Sequence, residues 1–184
     1  MKLYRGLCIA ALMLAFVVVV MGAYVRLADA GLGCPDWPLC YGEPVPTEIA
    51  DRDALAKAWK EMGHRYLAGT LGLLILALGV LAWKTRLCAG LATFIVVLVF
   101  FQATLGKWTV TMLLKPVIVT AHLLGGMTTL GLLLWLALSQ WQHSIAPEAR
   151  RLRAPAVAAL AALGVQNALG GWVSANYAAL ACPE

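Results

Sequence analysis

Apolar residues occur along this chain in long, uninterrupted stretches. Five stretches contain no Asp, Glu, Lys or Arg, and they span residues 6–25, 66–83, 87–106, 116–140 and 154–177. Each has about the length that a helix needs to cross a hydrocarbon core of roughly 30 Å at about 1.5 Å per residue. The stretches are continuously apolar rather than alternating, which excludes the strands of a membrane β-barrel. The pattern therefore predicts an all-α, polytopic membrane protein with five transmembrane helices.

The composition excludes a soluble protein. Hydrophobic residues make up 62% of the 184 residues, charged residues only 12%, and the mean hydropathy is +0.82. A soluble domain carries about twice that charged fraction. Lys and Arg are densest in the short segments on the same side as the N-terminus, which favours a cytoplasmic N-terminus. We predict a multi-pass protein of a bacterial cell (inner) membrane that is surrounded by the lipid bilayer and binds no nucleic acid.

Part of the chain repeats internally. Residues 22–36 align with residues 170–184, and residues 102–108 (QATLGKW) align with residues 166–172 (QNALGGW). The first, third and fifth helices thus share a glycine, one further residue and an aromatic residue near their outer ends. The repeat predicts a four-helix bundle with an outer loop, a cytoplasmic linker, and the first helix of a second, pseudo-symmetric bundle. These parts span residues 1–140 (with the loop at 26–60), 141–153 and 154–184. Since the second copy stops just after its first cysteine, we expect a C-terminally truncated sequence.

Two of the three histidines lie in predicted transmembrane helices. His64 opens the second helix, His122 lies in the fourth, and His143 falls in a polar segment expected to be a solvated loop. A histidine in a membrane helix is commonly a hydrogen-bonded packing residue, but two at similar depth on alternate helices also suit a ligand held in a bundle core. Zinc prefers four ligands, and no Cys or carboxylate accompanies His122. The pair therefore favours an axially ligated haem, with packing as the alternative.

Small residues and cations near the histidines are compatible with a haem. Four small residues could leave room for a flat macrocycle, namely Ala68, Gly69, Gly125 and Gly126. Four cations at the outer helix ends could pair with haem propionates, namely Arg26, Arg65, Lys107 and Lys115. Each cation could equally extend to the membrane interface without any ligand.

Glu61 precedes His64 by three residues. On a helix this spacing puts both side chains on one face, about one turn apart. A carboxylate there could carry protons at the edge of a haem. It could equally be an exposed acid at a helix N-terminus, where the helix dipole favours negative charge. The spacing leaves both roles open.

Cys34 and Cys40 stand in a loop rich in Pro and Trp that follows the first helix. Disulfides persist outside the cytosol, so a bond between them would put this loop on the outer side of the membrane. Cys8 and Cys88 would then lie near the cytoplasmic ends of helices and stay reduced. Cys182 would be outside with no partner in this chain.

Three segments, GAYVRLADAGLGCPDWPLC, EMGHRYLAGTLG and QATLGKWTV followed by a proline and AHL, resemble the heme A synthase family (CtaA-type). The resemblance covers essentially the whole chain. It implies two pseudo-symmetric four-helix halves and an enzyme that oxidises a methyl group of haem O to an aldehyde. The product would be haem A for cytochrome oxidase, with haem O synthase and the cytochrome oxidase assembly machinery as expected partners.

The resemblance also implies roles for single residues. In the catalytic N-terminal half, His64 and His122 would be the axial ligands of the haem O iron, and Glu61 the catalytic carboxylate. Cys34 and Cys40 would form an outer disulfide. Family members also hold a haem b in the C-terminal half, whose remaining helices and histidines this chain lacks.

Two other classes of protein share part of the pattern. A bis-histidine membrane cytochrome b electron carrier would use the histidines but has no need for Glu61. A quinone-linked thiol oxidoreductase would use a reactive outer cysteine pair and no haem. The pair lacks the Cys-x-x-Cys spacing of dithiol catalysts, which favours a structural role over a redox role. The sequence indicates no particular electron donor or acceptor, and it is compatible with a homo-oligomer.

Overall fold

The computed structural model of the chain describes residues 2–47, 49–141 and 151–178. These residues form five helices, Lys2–Leu27 (α1), Arg52–Thr85 (α2), Ala89–Thr111 (α3), Pro116–Leu138 (α4) and Arg153–Ala175 (α5). All five are long and apolar enough to cross a membrane, which confirms the predicted all-α class and the five predicted spans. His143 and Cys182, predicted to be a loop residue and an unpaired cysteine, lie outside the described residues.

The first four helices form a bundle in which helices adjacent in sequence are also adjacent in space. α1 packs against α2, α2 against α3, α3 against α4, and α4 closes the ring against α1. Consequently α2 and α4 face each other across the bundle core, as α1 and α3 do. α5 packs on the outside of α4. That α5 begins a second, pseudo-symmetric bundle stays a prediction.

α2 begins well before its apolar stretch. The Asp51 side chain caps it by accepting a hydrogen bond from the Asp53 backbone N–H at 2.9 Å, and Asp53 pairs with Lys57 at 3.2 Å. Such caps and i,i+4 pairs stabilise the start of a helix. The 34 residues of α2 extend about 50 Å, beyond a hydrocarbon core of roughly 30 Å. The prediction that His64 opens this helix is wrong, because the polar residues before it are already helical and His64 lies about three turns inside.

The core of the bundle is apolar at the end away from the α1–α2 loop, which we call the opposite end. The other end, which holds this loop, is the loop end. Small residues at the helix contacts let the backbones approach closely, and those fully or almost fully buried are Ala11, Ala15, Ala82 and Ala92. The largest buried side chains here are Tyr4, Ile75, Leu78, Ile95, Leu133 and Leu136. Cys8 and Cys88 are free thiols at this end, as predicted.

Candidate functional site

The loop between α1 and α2 is closed by a disulfide. Cys34 and Cys40 are bonded, with Cα atoms 4.8 Å apart, which confirms the predicted pairing. Both cysteines are fully buried. Cys40 and Glu43 exchange backbone hydrogen bonds of 2.9 and 3.2 Å. The loop is therefore a compact ring and not an extended connection.

Asp36 organises the turn between the two cysteines. Its carboxylate accepts hydrogen bonds from the backbone N–H groups of Tyr41 at 2.7 Å and Gly42 at 2.9 Å. Both donors have positive φ values, 57° and 81°, and successive N–H groups in such a turn converge on an anion. Desolvation acts to raise the pKa of Asp36, but these hydrogen bonds hold it below its ordinary value. At neutral pH the turn is thus organised around an ionised carboxylate.

Arg65 extends from α2 and binds the loop. Its Nη1 donates hydrogen bonds to the backbone carbonyls of Asp36 at 3.0 Å and Leu39 at 2.8 Å. The next residue, Tyr66, donates from its hydroxyl to the carbonyl of Pro44. Side chains of α2 therefore fix the position of the disulfide loop over the loop end of the bundle.

Glu61 lies where this loop meets α2, with only 5% of its surface exposed. Oε1 pairs with Nη2 of Arg65 at 2.5 Å, and Oε2 accepts a hydrogen bond from the backbone N–H of Cys34 at 2.8 Å. A buried charge needs partners of this kind. The alternative of an exposed acid at a helix N-terminus is wrong, because α2 begins about two turns earlier and the loop covers the carboxylate. We call Glu61, Arg65 and residues 33–40 the clasp.

Gly33 determines how closely the disulfide loop approaches α2. A Cβ atom at this position would lie 2.6 Å from the carbonyl carbon of Lys57 and 2.8 Å from the backbone nitrogen of Ala58. Side chains do not fit at such distances from backbone atoms, so only glycine allows this contact. The next residue, Cys34, donates the hydrogen bond that Glu61 accepts.

His64 on α2 and His122 on α4 lie on helices that face each other across the core, in the loop-end half of the bundle. The Nδ1 atoms of both rings are buried, and neither has a hydrogen-bond partner among the described residues. Oε1 of Gln102, on α3, is also buried and has no hydrogen-bond partner among the described residues. Buried polar atoms in proteins are nearly always hydrogen-bonded. We call His64, His122 and Gln102 the histidine site.

Gln102 of α3 lies against two glycines of α4, Gly125 and Gly126. Its Nε2 donates a hydrogen bond to the carbonyl of His122 at 2.9 Å. A Cβ on Gly125 would lie 2.7 Å from Oε1 of Gln102, and one on Gly126 would lie 3.3 Å from its Nε2. These two glycines accommodate the Gln102 side chain in this structure, and that they leave room for a haem stays a prediction. The sequence signal for Gln102 was its recurrence in QATLGKW and QNALGGW, where only the glycine and aromatic positions were considered.

Both arginines that were predicted to pair with haem propionates have protein partners. Arg65 belongs to the clasp. Arg26 donates a hydrogen bond to the hydroxyl of Tyr177 at 2.7 Å, lies 4.1 Å from the centroid of that ring, and also donates to Ser174 of α5. At the same end, Lys107 lies 5.6 Å from the ring centroid of Trp37 in the disulfide loop. Pairing of these cations with propionates stays a prediction.

The residues of the histidine site suit a haem better than a zinc ion. Within residues 2–47, 49–141 and 151–178, no three or more His, Cys, Asp or Glu side chains are grouped so that they could hold a metal ion. Zinc takes three or four protein ligands. Two imidazoles from facing helices, each with an unpartnered buried nitrogen, supply the donor set of a bis-histidine haem. The donor set therefore fits an axially ligated haem.

Comparison with known proteins gives consistent matches. The sequence model of the COX15-CtaA family, described as cytochrome oxidase assembly protein, matches residues 5–184. A heme A synthase of Shewanella oneidensis is 48% identical over 93% of this chain and 57% of its own length. Heme A synthases of Alkalihalophilus pseudofirmus and Caulobacter vibrioides are 30% and 36% identical over 73% and 58% of this chain, and over 47% and 34% of their own. The matches thus cover between about a third and a little more than half of the length of these relatives. No solved structure matches it.

Proposed function

The chain belongs to the COX15-CtaA family of cytochrome oxidase assembly proteins, and on that premise we propose that it oxidises a methyl group of haem O to an aldehyde, giving haem A. The match over nearly the whole chain carries this proposal. A buried carboxylate beside the histidine site supports it over a bis-histidine electron carrier, which has no need for Glu61. The complete burial of Cys34 and Cys40 supports it over a thiol oxidoreductase, whose disulfide must meet its substrate.

In this proposal His64 and His122 bind the iron of haem O from its two sides. Their helices face each other across the bundle core, so the two imidazoles can approach one iron from opposite directions. Their buried nitrogens lack partners among the described residues, and a metal would satisfy such nitrogens. In the same proposal Arg26 and Arg65, which lie at the loop end, pair with the propionates of the substrate.

Glu61 is the proposed proton acceptor. Conversion of the methyl group to an aldehyde balances as R–CH3 + H2O → R–CHO + 4H+ + 4e−, with water supplying the oxygen atom and an external electron acceptor taking the electrons. Protons must therefore leave the edge of the substrate. Glu61 lies on the same helix as His64, one turn away, and His64 is engaged by iron. Arg65 and the N–H of Cys34 hold the carboxylate in one orientation. A positioned general base contributes about 10²–10⁴-fold to a rate.

The proposal also includes the orientation of the protein in the membrane and the source of its substrate. The loop end faces the outer side of a bacterial cell membrane and the N-terminus faces the cytoplasm, because disulfides persist outside the cytosol. Haem O synthase is the enzyme whose product this protein takes up.

The ratio of haem A to haem O tests the reaction. The chain is expressed in a host that makes haem O but no haem A, and the membrane haems are extracted and separated by chromatography. We expect haem A with the unaltered chain, and about 10²–10⁴-fold less with Glu61→Gln. Haem O alone with the unaltered chain would contradict the proposed reaction.

Arg65→Gln is the matched control, because it breaks the same ion pair but keeps the carboxylate. If Glu61 is the proton acceptor, Arg65→Gln retains much more haem A than Glu61→Gln. Because Arg65 is also proposed to bind a propionate, the haem O retained by each purified variant is measured as well. Equal losses of haem A in the two variants, with haem O still bound, would mean that the integrity of the clasp matters and that Glu61 has no separate chemical role.

A further inference from the structure

Each ring of the histidine site lies against a glycine of the preceding helix. A Cβ atom on Gly22 of α1 would lie 3.1 Å from Cε1 of His64, 3.6 Å from its Nε2 and 3.7 Å from its Nδ1. A Cβ on Gly106 of α3 would lie 3.3, 3.9 and 4.0 Å from the same three atoms of His122. In both places the Cε1 corner of the imidazole points at the glycine, and the two nitrogens flank it at nearly equal distances.

The two glycines also occupy equivalent positions in the internal repeat. Gly22 begins the sequence GAY near the end of α1, and Gly106 begins GKW near the end of α3. α1 and α3 therefore each present the repeat glycine to the histidine of the following helix. The two sites share the contact atom, the ring orientation and the repeat position, which indicates one common arrangement.

We propose that Gly22 and Gly106 are positioning residues, each forming a seat that fixes the orientation of one axial imidazole at the iron of haem O. The proposal rests on the proposed haem O site and adds to it the groups that orient its ligands. Residues outside the ligand set that orient a metal-bound histidine commonly change metal affinity about 10–100-fold when they are replaced. Gly22 and Gly106 act by lacking a side chain, because any side chain there would occupy the space against which the imidazole lies.

Other buried glycines of the chain have a different environment. A Cβ on Gly79 would lie 2.8 Å from Cγ2 of Val96, and one on Gly171 would lie 2.8 Å from Cδ2 of Leu123. These glycines permit close contact between helices, as small residues generally do in membrane bundles. Gly22 and Gly106 have an imidazole as nearest neighbour, so a methyl group there must displace or rotate a ring. A ring that is rotated changes the ligand field of the iron, whereas a loosened helix contact does not.

Matched alanine substitutions test the proposal on the purified full chain reconstituted with haem O. Gly22→Ala is compared with Gly6→Ala on the same helix, and Gly106→Ala with Gly90→Ala, because a Cβ on Gly6 or Gly90 meets nothing within 4 Å. Each pair makes the same Gly-to-Ala change in one helix, so the two members differ mainly in what the added methyl group meets. The readouts are the dissociation constant for haem O, the low-spin electron paramagnetic resonance spectrum, and the melting temperature without haem.

We expect Gly22→Ala and Gly106→Ala to weaken haem O binding about 10–100-fold relative to their controls, with shifted low-spin g values and a new high-spin signal. The effect should be larger for Gly22, where the contact is tighter. If Gly22→Ala yields little folded protein, Gly106→Ala provides the same comparison at the milder contact.

Two other results would overturn the proposal in distinguishable ways. Unchanged g values and affinity in both seat variants, with or without a lower melting temperature, would show that these glycines only pack helices. Absence of a bis-histidine low-spin signal in the unaltered protein would instead refute the haem O site itself, and the seats with it.

Discussion

The clasp and the histidine site are neighbours on α2, but they differ in whether their buried polar atoms have hydrogen-bond partners. In the clasp, both oxygens of Glu61 have partners, and Arg65 binds Glu61 and two loop carbonyls. In the histidine site, three buried polar atoms have no partner in the part of the chain that the structure describes. One turn of helix separates Glu61 in the clasp from His64 in the histidine site.

The difference is that the clasp satisfies the hydrogen-bonding groups of Glu61 within the chain, whereas the histidine site leaves buried polar atoms without a partner among the described residues. A network whose donors and acceptors are all used is rigid and stable without any ligand, whereas unpartnered buried groups destabilise the fold. A bound ligand is one way in which such groups become satisfied. The comparison therefore agrees with the proposal that the clasp is structural and that the histidine site binds haem O. In that proposal Glu61 is held in position by the clasp and acts on a substrate bound at the histidine site.

The largest expected effect comes from removing a histidine. His64→Ala or His122→Ala should abolish the bis-histidine low-spin spectrum of the chain reconstituted with haem O, because only one axial imidazole remains. The clasp should be unaffected, and its disulfide should be reduced by an added phosphine as slowly as in the unaltered chain. His143→Ala is the control and should leave the spectrum unchanged. A persisting low-spin spectrum in His122→Ala would remove this residue from the ligand set.

Removal of the disulfide should loosen the clasp and leave the ligand field of the haem iron unchanged. Replacing Cys34 and Cys40 together by Ser removes a small closed ring, which on the chain-entropy estimate costs about 2–3 kcal/mol of loop stability. We expect faster release of haem O, since the loop covers the loop end of the bundle, with unchanged low-spin g values. Stopped-flow transfer of haem to apomyoglobin measures the release. A changed spectrum at an unchanged release rate would reverse the division of roles between the two regions.

Much of this comparison could be predicted from the sequence, and the reasons are physical. Long apolar stretches identify membrane helices because the bilayer has a fixed thickness, and all five were predicted correctly. The pairing of Cys34 with Cys40 came from family resemblance. The placement of His64 and His122 on alternate helices favoured an axially ligated haem, and the resemblance implied that this haem is haem O.

Other features required the structure. The start of α2 at Arg52 was missed because a helix that continues into water loses the apolar signal. The neighbours of glycines could not be predicted either, since Gly125 contacts Gln102 whereas Gly106 contacts His122. Sequence spacing gives the face of one helix, but the side chain that approaches from another helix depends on how the bundle packs.

The contact at Gly33 tests how far the clasp depends on close approach to α2. Gly33→Ala should push the loop away from Lys57 and Ala58 and weaken the bond between the Cys34 N–H and Glu61, at a cost of about 1–3 kcal/mol. Gly31→Ala is the matched control in the same loop, because its Cβ would meet only the Leu114 side chain, at an ordinary 3.4 Å. Hydrogen exchange of the Cys34 amide measures the effect. Equal exchange in the two variants would show that Gly33 is not needed for the clasp.

The smallest effect concerns Asp36, which lies near the surface of the loop. The hydrogen bonds from Tyr41 and Gly42 lower its pKa in the folded loop. A carboxyl group with a lowered pKa stabilises the fold above its unfolded pKa of about 3.9, and this contribution disappears as the pH falls through the folded pKa. Asp36→Asn removes it at every pH. We therefore expect a phosphine to reduce the Cys34–Cys40 bond faster in Asp36→Asn than in the unaltered chain, by a constant ratio between pH 7 and about 5. The ratio should approach one as the pH falls through the lowered pKa of Asp36 in the folded loop, because both side chains are then neutral. A ratio that stays constant down to the lowest pH at which the loop remains folded would show that the charge of Asp36 does not hold the turn, and the ionised carboxylate would then have no part in the clasp.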